Sequence, residues 1–125
     1  MAMINEPLNQ RRCVPCEGGV PKLSHNQCLP LLEQVPGWSL NEDTTLISRT
    51  WVAQDFLEAI RFFGEIAKLA EDEGHHPDLH LTGYRNVKVD IYTHAIGGLS
   101  ENDFILAAKV DSIPIKEKRK RQPSE

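Results

Sequence analysis

The sequence lacks the features that define several special classes of protein. No apolar run approaches the roughly 18 residues that a membrane-spanning helix needs. Residues 1–12 contain no continuous apolar stretch of the kind that a secretory signal requires. Cysteine is scarce and odd in number, with 3 among 125 residues, which suits a reducing compartment better than a disulfide framework. We therefore expect no membrane contact and a cytoplasmic location, with an organelle or the nucleus as the alternatives.

Positive charge is also scarce outside the C-terminus. Residues 1–114 contain 9 basic and 16 acidic side chains, whereas 5 of the last 10 residues are Lys or Arg. Attraction to phosphate needs clustered positive charge, so the body of the protein is not expected to bind nucleic acid. We interpret residues 115–125 as a basic, disordered tail, with a nuclear address or a contact with an anionic surface as the alternative.

The length and composition are typical of one globular domain, since 40% of the residues are hydrophobic and 26% are charged. Residues 1–22 are rich in Pro, Gly and polar groups and predict an irregular N-terminal arm, which leaves 23–114 as the domain. Hydrophobic periodicity predicts helices over 24–35, 55–73 and 100–114, and strands over 38–40, 46–52, 78–84 and 86–94. This order predicts an α+β fold, a four-stranded antiparallel sheet with three helices packed on one face.

The helix predicted over 55–73 has the clearest amphipathic pattern. Asp55 and Glu58 have the spacing of an N-cap and its partner, and Gly74 is a typical C-terminal stop. Helical spacing predicts one core-facing stripe, made of Phe56, Ala59, Ile60, Phe63, Ile66, Ala67 and Ala70. We interpret the aromatic residues of this stripe as core packing rather than as a ligand site.

A cysteine pattern near the start of the chain offers a metal site. Cys13 and Cys16 have the spacing of one half of a zinc site, and His25 with Cys28 could complete a tetrahedral set. A Cys-x2-Cys pair in a loop is nevertheless common without metal. We therefore favour free thiols in an arm over a zinc site.

Four of the five histidines lie between positions 75 and 94. Pro77 disfavours helical geometry at His76, so His75 and His76 are expected in a rigid extended corner after the helix. Three interpretations compete: a metal pair of His76 and His80, structural pairing with neighbouring carboxylates, and an acid–base site. Pro77 removes the helix that a metal pair at this spacing needs. Imidazole both gives and takes protons near neutral pH, which suits the third interpretation.

The spacing of these residues closely resembles that of the pterin-4a-carbinolamine dehydratase family. The matching positions are, in order, Glu71, His75-His76-Pro77, Tyr84, His94 and Asp103. The resemblance extends over residues 24–112. Two positions depart from the animal members, because Leu79 stands where they carry an aromatic residue and Gly74 where they carry an acidic one. Stacking on the substrate is therefore expected to come from elsewhere.

The resemblance implies a hydro-lyase that removes water from a 4a-hydroxytetrahydropterin and gives the quinonoid dihydropterin. The hydroxyl leaves only when protonated and a ring nitrogen must lose a proton, so the site needs an acid and a base but no cofactor. The resemblance implies His75 and His94 as the proton-transfer pair and His76 as the residue that holds the pterin. The remaining implied residues orient the site, and they are Glu71, Pro77 and Asp103.

The resemblance also leaves other functions and partners open. The leading expectation is recycling of tetrahydropterin after an aromatic amino-acid hydroxylase has used it. Animal members of the family also act as dimerisation partners of a transcription factor, and a member with little dehydratase activity could instead support molybdenum cofactor metabolism. The resemblance further implies a homodimer or homotetramer, joined through sheet edges and a helix.

Overall fold

The chain forms a four-stranded antiparallel sheet and three α-helices in a computed structural model that describes residues 7–14 and 21–119. The elements are α1 His25–Glu33, β1 Ser39–Leu40, β2 Ile47–Val52, α2 Phe56–Glu73, β3 Asp78–Thr82, β4 Asn86–Ile91 and α3 Glu101–Asp111. The strand order is β1-β2-β4-β3, and every neighbouring pair is antiparallel. The α+β prediction is therefore confirmed. No helix in the described part of the chain is long and apolar enough to cross a membrane.

Local signals in the sequence set the ends of the helices. Ser24 forms a capping box with Gln27 at the start of α1, and the Asp55 carboxylate accepts a 2.9 Å hydrogen bond from the Glu58 backbone N–H at the start of α2. Gly74 ends α2 in the left-handed conformation, with φ of 65°, which a residue without a β-carbon adopts at low cost. The direction in which the chain leaves α2 is therefore fixed directly before the histidine pair.

The sheet buries one face and leaves the other polar. Strand registry places Ile47 opposite Ile91 and Trp51 opposite Val87, and all four side chains are buried. Trp51 makes an edge contact with Phe62 of α2, with ring centroids 5.0 Å apart. Of the alternate residues, which point to the other face, Thr50 and Lys88 are exposed, whereas Asp90 is buried. The helices thus cover one face, as the alternation in β4 predicts.

The predicted core stripe of α2 is only partly right. Ala59, Ile66 and Ala70 are buried, but the core also takes Phe62, which is fully buried, while the predicted Phe56 and Ile60 are 52% and 47% exposed. The remaining predicted members differ too, because Phe63 is half-buried and Ala67 is exposed. Two adjacent stripes of α2 are apolar, and successive residues lie about 100° apart, so the sheet can cover only one of them.

The described part of the predicted disordered tail is paired with the body, so the predicted boundary is placed too early. The Lys118 N–H donates to the Val52 carbonyl, and the Gln54 N–H donates to the Lys116 carbonyl, both at 2.8 Å. Hydrogen bonds from Arg61, together with the Lys116 N–H, lower the pKa of Glu58 to about 2. Free backbone groups at the end of β2 therefore order residues 115–119, and residues 120–125 lie outside the described part.

The described part of the N-terminal arm also packs on the body. A short 3₁₀ turn spans Leu8–Gln10, and the side chain of Leu8 is 3% exposed in the same hydrophobic core as α3. Residues 15–20, which include the Gly18-Gly19 pair, lie outside the described part of the chain.

Candidate active site

The histidine pair lies where α2 gives way to the sheet. The backbone N–H of His75 still donates to the Ala70 carbonyl at 3.1 Å, so the backbone of His75 is tied to the last turn of the helix. β3 begins at Asp78, directly after Pro77. The rigid corner predicted from Pro77 therefore places His75 and His76 between a helix end and an edge strand.

The imidazole of His75 rests against a buried carboxylate. Its Nε2 lies 2.6 Å from Oδ1 of Asp103, in the first turn of α3. The His75 side chain is 11% exposed and that of Asp103 is fully buried. The other carboxylate oxygen of Asp103 accepts from the Thr93 hydroxyl at 2.7 Å and from the Ser100 backbone N–H at 2.8 Å. Two further donors therefore fix the carboxylate that holds the ring of His75.

The other two predicted catalytic histidines are more exposed. His76 pairs through Nε2 with the Glu71 carboxylate at 2.5 Å, and both side chains are largely open to solvent. β4 ends at Ile91, earlier than the predicted 94, because the chain turns after it into a short 3₁₀ segment, His94–Ile96. The ring of His94 lies 6.1 Å from that of Tyr92.

An open cleft of about 270 Å³ brings the three histidines together. His75, His76 and His94 all line it, with Asp103 behind the first and Glu71 beside the second. The further lining residues, which sequence reasoning did not select for the site, are Val14, Gly74, Tyr92, Thr93, Ala95 and Asn102. Gly74, Thr93 and Ala95 adjoin a selected histidine in the sequence, whereas no periodic or motif signal marked Val14, Tyr92 or Asn102. Pro77 does not line the cleft, and its contribution is to the backbone.

Tyr84, the aromatic position of the resemblance, lies away from the cleft. It occupies the turn between β3 and β4, with φ of 55°, at the far end of the hairpin from Pro77. The guanidinium of Arg85 stacks over its ring at 4.7 Å from the centroid. Leu79 packs against the hydrophobic core and does not line the cleft either. Tyr92 is therefore the aromatic side chain that the cleft contains.

The residues considered for metal binding are distributed over different environments. His80 pairs with Asp90 at 2.9 Å and does not line the cleft with His76. Cys28 is fully buried in the core, and His25 is exposed at the start of α1. Cys16, the fourth member of the zinc alternative, lies outside the described residues. Across residues 7–14 and 21–119, no three His, Cys, Asp or Glu side chains are grouped as a metal site would need.

The thiols in the described part of the chain are unpaired and protonated at neutral pH. Burial, reinforced by the nearby Glu73 carboxylate, raises the pKa of Cys13 to about 12, and burial also raises the pKa of Cys28. A protonated thiol is a poor nucleophile and a poor metal ligand. Among the described side chains, the imidazoles at the cleft are therefore the candidates for proton transfer.

Imidazoles around a cleft, one of them oriented by a buried carboxylate, define a site that can transfer protons to and from a small ligand. The arrangement lies on an α+β domain with one open polar sheet face. The fold and the site thus define a small α+β protein with acid–base chemistry.

Comparisons with known proteins identify the family. The sequence model described as Pterin 4 alpha carbinolamine dehydratase matches residues 21–113. The chain is similar to Pterin-4-alpha-carbinolamine dehydratase 2, mitochondrial, from Arabidopsis thaliana, at 45% identity over 113 residues. This match covers 88% of the chain but only 60% of the plant protein. The chain belongs to the pterin-4-alpha-carbinolamine dehydratase family, so the resemblance predicted from the histidine spacing is confirmed.

Two further relatives agree with this assignment. A putative pterin-4-alpha-carbinolamine dehydratase from Halorhodospira halophila is 47% identical over 106 residues, which are 85% of this chain and 96% of that protein. A solved structure, the transcriptional coactivator/pterin dehydratase from Brucella melitensis, superimposes with a TM-score of 0.68 at 28% identity. The superposition covers 74% of this chain and 97% of the Brucella chain. The predicted fold and the predicted class, a hydro-lyase of this family, are therefore confirmed.

Proposed function

We propose that this protein removes water from a 4a-hydroxytetrahydropterin and releases the quinonoid dihydropterin. The observation that carries the proposal is the cleft in which three imidazoles meet, in a chain of this family. The elimination is redox-neutral. One proton goes to the departing hydroxyl, which leaves as water, and one proton comes off a ring nitrogen as the C=N bond forms. Acid and base groups are sufficient for these steps, so we propose no cofactor.

The hydrogen bond to Asp103 supports His75 as the base. An ionised carboxylate only accepts hydrogen bonds, so Nε2 of His75 must carry the proton in this contact. In the neutral ring the lone pair then belongs to Nδ1, the nitrogen not held by Asp103. Asp103 also stabilises the imidazolium that forms after proton uptake, as the carboxylate of a catalytic triad does. We assign proton removal from the pterin to Nδ1 of His75.

His94 and His76 take the complementary roles. His94 is exposed at the cleft, and its ring makes no hydrogen bond to another described residue, which suits a group that protonates the hydroxyl. His76 is oriented by Glu71 and by the backbone restriction that Pro77 imposes, which suits a residue that holds the pterin. Tyr92 offers the aromatic face for stacking on the pterin ring.

Dehydration measured by stopped flow tests the proposal directly. A 4a-hydroxytetrahydropterin loses water spontaneously, so the expected result is a rate that rises with the concentration of wild-type protein. The control is the same concentration of heat-denatured protein. A rate equal to the spontaneous one at every concentration contradicts the proposed function.

In the cell we propose that the enzyme recycles tetrahydropterin for an aromatic amino-acid hydroxylase. A reducing compartment such as the cytoplasm suits the unpaired thiols of Cys13 and Cys28. The mitochondrial name of the Arabidopsis relative makes an organelle the alternative.

We also propose that the protein is a homo-oligomer joined through α2. This helix leaves Phe56, Leu57 and Ile60 exposed by 52%, 80% and 47%, on one apolar stripe. Contiguous apolar surface of this kind is typical of protein interfaces. The same surface favours a second candidate function, that of a transcriptional coactivator, as in the name of the Brucella protein.

Charge placed on this stripe is expected to dissociate the assembly. Leu57→Glu would bury an unpaired carboxylate in the interface, which costs several kcal/mol, so sedimentation velocity should show a smaller species than the wild type. Leu29→Glu, the same change at an exposed leucine of α1, is the matched control and should sediment as the wild type does. Equal sedimentation of Leu57→Glu and wild type contradicts the proposed interface.

A further inference from the structure

We propose that residues 7–14, here called the arm segment, form one wall of the active-site cleft, with Val14 contacting the bound pterin and Asn102 holding Val14 in position. The arm segment lies outside residues 21–113, which the family model matches. This inference rests on the proposed function, since it names a further substrate-contacting residue of the same site. Val14 already lines the cleft beside the three histidines.

The arm segment is attached to the body along its length. Leu8 anchors one end, because its side chain is 3% exposed in the hydrophobic core. Arg11 forms an ion pair with Glu101, the first residue of α3. Arg12 donates to the Asp72 carbonyl near the end of α2 at 3.2 Å. The segment therefore runs from the core to the cleft along contacts with both helices.

The side-chain amide of Asn102 holds the backbone of Val14 at two points. The Val14 N–H donates to Oδ1 at 2.9 Å, and Nδ2 donates to the Val14 carbonyl at 2.5 Å. Asn102 is 4% exposed, and a buried amide is costly unless its donors and acceptors are paired. Val14 supplies both partners, so Asn102 and the arm segment depend on each other.

The neighbouring residue Cys13 ties the arm segment to both catalytic elements. Its backbone N–H donates to the Glu73 carboxylate at 2.8 Å, and its thiol donates to the Asn102 carbonyl at 3.5 Å. Glu73 lies two residues before His75, and Asn102 directly precedes Asp103. The arm segment therefore bridges the two chain positions that bring His75 and Asp103 together.

Val14 adds aliphatic surface to the cleft, which is otherwise apolar at Tyr92 and Ala95. The three histidines, Thr93 and Asn102 present polar groups, whereas the side chain of Val14 is apolar and 65% exposed. A flat pterin ring seated among the histidines would cover this valine and remove it from water. That contact forms in the ground state and the transition state alike, so its loss is expected to raise KM and to leave kcat unchanged.

Steady-state kinetics on three variants test this role. Val14→Ala keeps the backbone bonds to Asn102 and is expected to raise KM about fourfold, the effect of one lost methylene-sized contact, with kcat within about twofold. Asn102→Asp keeps the acceptor but loses the donor to the Val14 carbonyl, so it should release Val14 and raise KM by at least as much. In the double variant the two effects should be less than additive, because both remove the same contact.

The matched control is Val52→Ala, the same change at an exposed valine at the end of β2, which should leave KM unchanged. Calorimetric binding of 7,8-dihydrobiopterin gives a readout without turnover, and Val14→Ala should weaken it by the same factor. An unchanged KM and binding constant in Val14→Ala overturns the inference, as does a fall in kcat alone in Asn102→Asp. A wild type that binds the pterin but does not accelerate dehydration refutes the proposed function. The role of Val14 is then decided by comparing the calorimetric binding constants of wild type and Val14→Ala.

Discussion

Substitution of His75 by glutamine is expected to reduce the rate of dehydration about 10²- to 10⁴-fold, the usual range for a lost general acid or base. Glutamine can still donate to Asp103 through its amide, so the buried carboxylate keeps a donor at the position where His75 now contacts it at 2.6 Å. Glutamine has no group that takes up a proton near neutral pH. Stopped-flow dehydration, with the spontaneous rate subtracted, measures the effect.

His80→Gln is the matched control for this experiment, because it makes the same change in a histidine that does not line the cleft. Its rate should stay within about twofold of the wild type, given that removal of a non-catalytic group leaves the proton transfers intact. Thermal unfolding of both variants checks that the fold persists. A His75→Gln protein with the wild-type rate would show that proton removal lies elsewhere, and His94→Gln would then be the first alternative to measure.

Substitution of Lys109 by methionine is expected to have the largest effect on stability, about 3 kcal/mol. Lys109 Nζ lies 2.6 Å from the Glu73 carboxylate, whose side chain is 1% exposed. Removal of the cation leaves the buried Glu73 carboxylate with two weaker interactions. One is the hydrogen bond from the Cys13 N–H, and the other is the charge of Arg12, which lies 3.9 Å away. Urea unfolding at neutral pH measures the difference in the free energy of unfolding.

The pH dependence separates this effect from a simple loss of packing. Burial alone would raise the pKa of Glu73, but hydrogen bonds from Lys109 and the Cys13 N–H, with the charges of Lys109 and Arg12, lower it overall. A lowered pKa in the folded state contributes stability above the unfolded pKa, and this contribution is lost as the pH falls through the folded value. In Lys109→Met the carboxylate loses its main partner. The difference between wild type and variant should therefore shrink as the pH is lowered and Glu73 is protonated.

Lys68→Met provides the control, because it makes the same change at a lysine of α2 that binds no buried acid. Lys68 pairs with Glu65 at 3.3 Å, but its side chain is 78% exposed, so the change should cost at most about 0.5 kcal/mol. A cost in Lys109→Met that is equally small, or that does not vary with pH, would contradict a stabilising role for the buried pair.

Features governed by local physics could be predicted from the sequence. Asp55 and Gly74 mark the ends of α2 because a cap and a left-handed residue act within one turn of the helix. The alternation in β4 and the polar turn before it define the second hairpin for the same reason. His75, His76 and His94 were found through a spaced pattern of chemically distinctive residues, and the structure places all three at one cleft.

Features that depend on distant partners could not be predicted. The choice between Phe62 and Phe63 as the core residue depends on which stripe of α2 meets the sheet, and both stripes are apolar. The pairing of Val14 with Asn102 joins positions 88 residues apart, and neither residue type is distinctive alone. Backbone pairing at the end of β2 likewise orders residues 115–119, although their composition resembles that of a solvated tail.

The carboxylate of Asp103 orients the imidazole of His75, the proposed base, and it does so only in the completed fold. Its three donors are His75 after α2, Thr93 after β4 and the Ser100 N–H at the N-cap of α3. The Ser100 bond is local to α3, so the full set forms only when the segments after α2 and β4 have docked on the start of this helix. A partly unfolded chain that has lost any one docking contact has also lost the oriented imidazole. In the proposed mechanism, proton removal by His75 is thus confined to fully folded molecules, and a partly open state does not contribute to turnover.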